Sequence, residues 1–109
     1  LNRLMQSVTP LQLKQRMDDG TVPEPLDVRE PWEFATCRIE GSINIPMSDI
    51  VNAENKLDRQ TEKVVICHHG IRSQQVVLYM ERLGFASVLN LEGGIDLWAE
   101  MVAADMPRY

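Results

Sequence analysis

The feature that most constrains this 109-residue chain is a short apolar run that changes abruptly into a helical pattern. Lys63 to Ile66 reads K-V-V-I, which is uninterrupted and β-branched and therefore predicts a buried, central strand. From Ile71 to Leu83, apolar residues recur at helical spacing. Only four residues, Cys67 to Gly70, separate the two patterns. The strand must therefore pass into the helix through a tight loop.

Strand and helix patterns alternate along the rest of the chain. The predicted strands are Ser7–Thr9, Leu26–Val28, Ser42–Ile45, Lys63–Ile66 and Ser87–Leu91. Pro23 and Pro25 are expected to interrupt the chain before the second strand. The alternation predicts an α/β fold, a three-layer α/β/α sandwich around a mainly parallel five-stranded sheet. At this length we expect one domain spanning residues 1–109.

The predicted helices are marked by capping residues and by their apolar faces. Thr9 followed by Pro10 predicts the start of the first helix, with Leu11, Leu13 and Met17 on its apolar side. The others are a turn at Pro31–Phe34, an irregular helix within Met47–Leu57, the helix Ile71–Leu83, and a last helix after Gly93-Gly94 that turns Ile95, Trp98, Met101 and Val102 inward.

The loop after the central strand reads C-H-H-G-I-R-S, from Cys67 to Ser73. Ligands of parallel sheets bind beyond the carboxyl ends of the strands, which is where Cys67 stands. Gly70 allows a tight curve, so the loop's N–H groups and the helix N-terminus are expected to converge and stabilise a thiolate. Cys67 would then be a nucleophile near neutral pH. The alternative is a small buried core residue, a common use of free cysteine.

Four segments occur in order along the chain: L-D-V-R-E-P-W-E-F from Leu26, R-I-E-G-S-I-N-I-P from Arg38, the C-H-H-G-I-R-S loop, and L-G-F-A-S-V-L-N-L-E-G-G-I-D-L-W from Leu83. Together they resemble the single-domain rhodaneses, a sulfurtransferase family. The resemblance implies that Cys67 takes a sulfur from a donor such as thiosulfate, carries it as a persulfide, and passes it to a thiol or cyanide. It implies no cofactor, and a protein acceptor is also compatible with it.

The length of the loop separates this chemistry from that of the related cell-cycle phosphatases. Four residues lie between Cys67 and Arg72, and the phosphatases have a loop one residue longer. The shorter loop resembles the sulfurtransferases. Two other functions stay open: a non-catalytic rhodanese-like module that binds a protein partner or relays sulfur, and, with less support, a phosphatase or arsenate reductase.

The neighbours of Cys67 are assigned to the active-site loop, each with a structural alternative. Arg72 contacts an anionic donor or pairs with a carboxylate to brace the loop, and the bracing role is favoured. Ser73 hydrogen-bonds within the loop or caps the helix, and capping is favoured. His68 and His69 are expected to be exposed, with substrate contact open to them, and Gly70 and Ile71 complete the loop.

Residues outside the loop have structural assignments. Asp27 and Arg29 are expected to support the site as an ion pair, Glu33 and Glu40 to be solvated, and Trp32 and Trp98 to pack in the core or at its rim. In the segment that resembles the rhodaneses, Cys37-Arg38 stands where the family has Gly-His. Cys37 is expected to be a small buried side chain, with resolution of a Cys67 persulfide as the alternative.

Composition limits the classes of partner. The net charge of −5 argues against nucleic-acid binding, and no apolar run reaches the roughly 20 residues of a membrane helix. Two cysteines are too few for a disulfide scaffold, which favours a reducing, cytoplasmic location. No metal site is expected, because two adjacent histidines lack the third and fourth spaced ligands of a structural site. We expect a monomer that acts on small molecules.

Overall fold

The structure, a computed structural model, describes residues 6–109. Its centre is a fully parallel sheet of five strands in the order β1-β5-β4-β2-β3. The strands are β1 (Ser7–Val8), β2 (Glu24–Asp27), β3 (Ile43–Asn44), β4 (Lys63–Ile66) and β5 (Val88–Leu91). The predicted parallel α/β architecture is confirmed, and β4 lies at the centre of the sheet with the bounds that the sequence predicted.

The second strand begins earlier than predicted and includes Pro25, so the expected interruption was wrong. The reason is the direction in which the backbone nitrogens point. Glu24 and Val28 donate their N–H groups toward β4, to the carbonyls of Glu62 and Ile66, so the intervening odd-numbered Pro25 points its nitrogen to the other side. Pairing with β3 begins only at Leu26. The missing N–H of proline therefore costs no ladder hydrogen bond.

Helices cover both faces of the sheet. They are α1 (Pro10–Asp18), α2 (Pro31–Thr36), α3 (Ile50–Ala53), α4 (Ile71–Arg82) and α5 (Gly94–Met101), with short 3₁₀ turns at Met47–Asp49 and Glu54–Lys56. Alternate side chains of β4 supply two separate cores. Val64 and Ile66 pack against α1 and α5, whereas Val65 and the following Cys67 pack against α3 and α4. Of the helices in residues 6–109, none is long and apolar enough to cross a membrane.

Two predicted core residues are exposed. Leu11 lies roughly 200° around α1 from the buried Leu13, and Met101 lies roughly 240° around α5 from the buried Ile95. In α5, Ile95 and Trp98 are buried and Val102 is half-buried, in the predicted i, i+3, i+7 spacing. The helical spacing thus predicted the correct face, and Leu11 and Met101 were wrongly included in it.

Candidate active site

The carboxyl end of β4 places Cys67 at the base of the loop, on the face of the sheet that α4 covers. Only 1% of Cys67 is exposed to solvent. Its sulfur accepts hydrogen bonds from the backbone N–H groups of Gly70, at 3.0 Å, and of Ser73, at 3.3 Å. The Ser73 hydroxyl oxygen lies 3.2 Å from the same sulfur. Two backbone N–H dipoles therefore point at one sulfur atom.

Gly70 makes this curvature of the loop feasible. Its φ is +93°, in the left-handed region, and it stands immediately before α4. A Cβ at Gly70 would lie 3.2 Å from the nitrogen of Gly93 and 3.3 Å from the carbonyl oxygen of Leu91, closer than ordinary packing. A side chain there would push the loop away from the β5–α5 turn, and the Gly70 N–H would leave the sulfur.

Ser73 does not cap α4, because Gly70 holds the capping position and Ser73 lies inside the first turn. The favoured capping role was therefore wrong. Its buried hydroxyl instead donates a short hydrogen bond to Oδ1 of Asn90. A serine hydroxyl has a single proton, which goes either to Asn90 or to the sulfur of Cys67. The Ser73 hydroxyl therefore cannot donate to Asn90 and to the Cys67 sulfur at the same time.

Asn90 was not predicted from the sequence as a site residue. It is buried on β5, and its Nδ2 donates to the carbonyl of Gly70 at 3.3 Å, so one amide contacts two parts of the loop. The sequence feature that points to Asn90 is its place inside the apolar run V-L-N-L, where a strand interior normally carries an apolar side chain.

Arg72 forms a bidentate ion pair with Glu33 of α2. Nη1 donates to Oε1 at 2.7 Å and Nη2 to Oε2 at 2.9 Å. The carboxylate pair expected for a bracing role of Arg72 is present, and the prediction that Glu33 is solvated was wrong, since its side chain is only 6% exposed. The hydrogen bonds from Arg72 lower the pKa of Glu33 to about 2, against the opposing effect of burial. The pair fixes the end of the loop to α2.

A second buried pair lies behind the first. Arg29 and Asp27 are fully buried and joined at 2.8 Å, which confirms their predicted structural role. Burial would lower the pKa of Arg29, but hydrogen bonds to Asp27 and Tyr109 raise it, so the guanidinium stays charged. Tyr109 links the two pairs: its hydroxyl accepts from Arg29 at 2.9 Å and donates to Glu33 at 2.8 Å. No sequence signal identified Tyr109.

Comparison with known proteins assigns the family. A family model described as Rhodanese-like domain matches residues 9–101. The chain belongs to the rhodanese-like family. Among curated relatives, it is 33% identical over 100 residues to the thiosulfate sulfurtransferase GlpE of Pseudomonas aeruginosa, which covers 92% of this chain and 89% of GlpE. Among solved structures, SSP1007 from Staphylococcus saprophyticus aligns with a TM-score of 0.83 and 35% identity, covering 90% of this chain and 97% of that one.

Some relatives of this rhodanese-like domain are much longer. The chain is 33% identical over 105 residues to the probable adenylyltransferase/sulfurtransferase MoeZ of Mycobacterium tuberculosis. That match covers 94% of this chain and only 27% of MoeZ. The rhodanese-like fold thus occurs both as a small protein and as one part of a larger one.

The rim of the rhodanese-like loop is formed by His68, His69 and Ile71. His68 is half-buried, with its ring 4.2 Å from the rings of both His69 and Tyr109 (centroid to centroid). Burial and the neighbouring His69 lower the pKa of His68. His69 and Ile71 are exposed, as expected for His69, whereas the expectation that His68 is also exposed was wrong, since its side chain is only 17% exposed. The rim therefore consists of two imidazole rings and the apolar side chain of Ile71.

Cys37 is buried, as expected, in the core cluster on the sheet face opposite to that of Cys67. Nη1 of Arg29 lies 3.8 Å from its sulfur. Both cysteines are free thiols. This placement supports a packing role and leaves resolution of a Cys67 persulfide without structural support. Of the tryptophans, Trp98 is in the core, and Trp32 is an exposed rim residue edge-on to Tyr109.

Proposed function

We propose that this rhodanese-like domain is a sulfurtransferase that carries a sulfane sulfur as a persulfide on Cys67. The observation that carries the proposal is the pair of backbone N–H groups, from Gly70 and Ser73, aimed at the Cys67 sulfur. Fixed dipoles of this kind stabilise a charge that develops on sulfur without reorganising during the reaction. The relationship to GlpE, which is named as a thiosulfate sulfurtransferase, agrees with it.

The proposed reaction has two displacements. The Cys67 thiolate attacks the outer sulfur of thiosulfate, forming a new S–S bond, while the S–S bond of thiosulfate breaks and sulfite leaves with the electron pair. Cyanide or a thiol then attacks the outer sulfur of the persulfide, and Cys67 leaves as a thiolate. Neither step requires a cofactor, because sulfur itself is the nucleophile and the leaving group.

Arg72 has a supporting part in this proposal. Its two hydrogen bonds to Glu33 use one N–H from each Nη, and 35% of its side chain is exposed. A guanidinium has five N–H groups, so others remain that can face an anionic donor. We propose that Arg72 both braces the loop and raises the local concentration of anions such as thiosulfate.

Burial of the sulfur favours a second candidate function. With Cys67 only 1% exposed, a donor reaches the sulfur only if the rim of the loop moves. A module that binds a protein partner without turnover would need no such movement. A phosphatase or arsenate reductase is less consistent with the four-residue spacing between Cys67 and Arg72.

The remaining parts of the proposal concern context. We propose one domain that acts as a monomer in the cytoplasm, on a small-molecule donor and a thiol, cyanide or protein acceptor. The chain corresponds to only part of its longer relatives, so their names do not identify a partner protein for it.

Intact-mass analysis after incubation with thiosulfate tests the proposed function. The wild type and the Cys37→Ala variant should each gain one sulfur, which cyanide removes, and Cys67→Ala should gain none. Gain of sulfur by Cys67→Ala would overturn the site. If the folded wild type gains none from thiosulfate or from glutathione persulfide, the binding module is the better function. Hydrolysis of an aryl phosphate that requires Cys67 would instead indicate a phosphatase.

A further inference from the structure

The rim of the loop carries a cluster that the sulfur chemistry does not use. His68, His69 and Asp96 each offer one ligand atom, and these atoms all lie within 4.8 Å of one another. Nε2 of His69 lies 3.6 Å from Oδ2 of Asp96, and Nε2 of His68 lies 3.9 Å from Oδ1. We infer that these three side chains form a binding site for a divalent transition-metal ion of the Zn²⁺ or Co²⁺ type.

The donor set and its spacing fit such an ion. Two imidazoles and a carboxylate are ligands that zinc takes in three-ligand sites, with water in the fourth position. At metal–ligand distances of about 2.1 Å, two ligand atoms on one tetrahedral ion lie about 3.4 Å apart. The two histidine–carboxylate distances of 3.6 and 3.9 Å exceed this by only a few tenths of an ångström, although they run to different oxygens of Asp96, and the three ligand atoms lie within 4.8 Å of one another. Side-chain rotations that bring the three atoms closer together would complete the site.

Backbone contacts hold the third ligand against the first two. The N–H of Ile95 donates to the carbonyl of Cys67 at 2.8 Å, and the N–H of Asp96 donates to that of His68 at 3.1 Å. Gly94 permits this approach, since a Cβ there would lie 2.4 Å from both carbonyl oxygens. The first turn of α5 is thus docked directly on the loop. From the sequence alone Asp96 was not recognised as a third ligand, and no site was expected.

Charge and access around the cluster set the kind of binding to expect. Arg108 donates two hydrogen bonds to Oδ1 of Asp96, at 2.8 and 3.1 Å. The positive charge of Arg108 weakens the binding of a metal cation at Asp96. Arg108 also orients the carboxylate, so that Oδ2 is the oxygen nearer to His69. The His69 side chain is 65% exposed, so an ion can approach from solvent and keep a water ligand. An exchangeable site is therefore expected, rather than a closed structural one.

Titration with Co²⁺, followed by its visible absorption and by competition with Zn²⁺, tests the site on protein without a polyhistidine tag. The two histidines of the cluster are the only ones in the chain, so no other histidine site competes. The affinity should fall by at least about tenfold in His69→Ala and in Asp96→Asn, each of which removes one ligand. The matched control is Glu100→Gln, an exposed acid one turn further along α5, which should bind within about twofold of the wild type.

The Cys67→Ala variant separates this site from the proposed sulfur chemistry. It should bind Co²⁺ as the wild type does, with no thiolate-to-cobalt absorption in either protein. Loss of binding in Cys67→Ala, with retention in His69→Ala and Asp96→Asn, would place the metal on the thiolate and overturn the inference. Equal affinity in all the proteins, or no binding by the wild type at millimolar Co²⁺, would overturn it as well.

Discussion

The ion pair between Glu33 and Arg72 gives a quantitative test of how the loop is held. Glu33→Gln keeps the size of the side chain and removes its charge. In the folded protein, hydrogen bonds from Arg72 lower the pKa of Glu33 from 4.5 to about 2. A tenfold change in proton affinity corresponds to about 1.4 kcal/mol. The charged form of Glu33 therefore contributes about 3 kcal/mol to the free energy of unfolding at pH 7.

The dependence on pH follows from the direction of this shift. The folded state binds the Glu33 proton more weakly than the unfolded chain does. The contribution is therefore fully present above the unfolded pKa and is lost as the pH falls through the folded pKa of about 2. By pH 3 about 2 kcal/mol of it should be gone. Wild type and Glu33→Gln should thus differ by about 3 kcal/mol at pH 7 and by about 1 kcal/mol at pH 3.

Urea unfolding of both proteins at pH 7, 5 and 3 measures this difference in the free energy of unfolding. The comparison isolates Glu33, because the other titrating carboxylates affect both proteins alike. Glu40→Gln is the matched control: Glu40 is exposed, and its variant should stay within about 0.5 kcal/mol of the wild type at each pH. A difference between wild type and Glu33→Gln that does not change from pH 7 to pH 3 would refute the reasoning, since it would show that Glu33 is not selectively stabilised in its charged form.

Three further changes test the site. Cys67→Ser should fold within about 1 kcal/mol of the wild type and show no thiosulfate:cyanide turnover, as a hydroxyl ionises far less readily than a thiol; substantial turnover would contradict the mechanism. Gly94→Ala should lower the free energy of unfolding in urea by about 2–4 kcal/mol, because the added Cβ meets two carbonyl oxygens. Gly20→Ala, at a similar positive φ but facing open space, should lower it by only about 1 kcal/mol. Equal losses in the two variants would contradict the close approach at Gly94. Tyr109→Phe should lower the free energy of unfolding by about 1–2 kcal/mol, because it removes the hydroxyl that joins Arg29 and Glu33. In the wild type, burial raises the pKa of Tyr109 to about 12. An ultraviolet titration in which both tyrosines ionise near 10 would contradict this placement of Tyr109.

The fold could be predicted from the sequence wherever local patterns and tertiary packing agree. The run Lys63–Ile66 is β-branched and has neighbours on both sides, so its bounds were correct to the residue. Thr9 and Pro10 begin α1 as predicted, with a reciprocal capping box between Thr9 and Gln12. Pro25 could not be placed in the same way. Whether a proline interrupts a strand depends on where the neighbouring strand begins, which is a property of the sheet rather than of the chain.

The site was predictable only where it is contiguous in sequence. Cys67 and Gly70 stand a few residues apart, so the position of the glycine beside the sulfur followed from the order of residues. Asn90, Glu33 and Tyr109 come from β5, α2 and the end of the chain, and their contacts with the loop exist only after folding. Glu33 is a clear case, since a glutamate on a short helix is normally solvated and nothing local indicates its partner.

The donors around the Cys67 sulfur are therefore positioned by residues outside the loop. The Gly70 N–H points at the sulfur because Asn90 holds the Gly70 carbonyl and because the β5–α5 turn leaves no room for a side chain. Arg72, at the other end of the loop, is fixed by Glu33. We expect that replacing Asn90 or Glu33 would displace the N–H donors from the Cys67 sulfur even if all seven loop residues were kept. Under the proposed function, we therefore expect these distant anchors to matter for sulfur transfer as well as the cysteine itself.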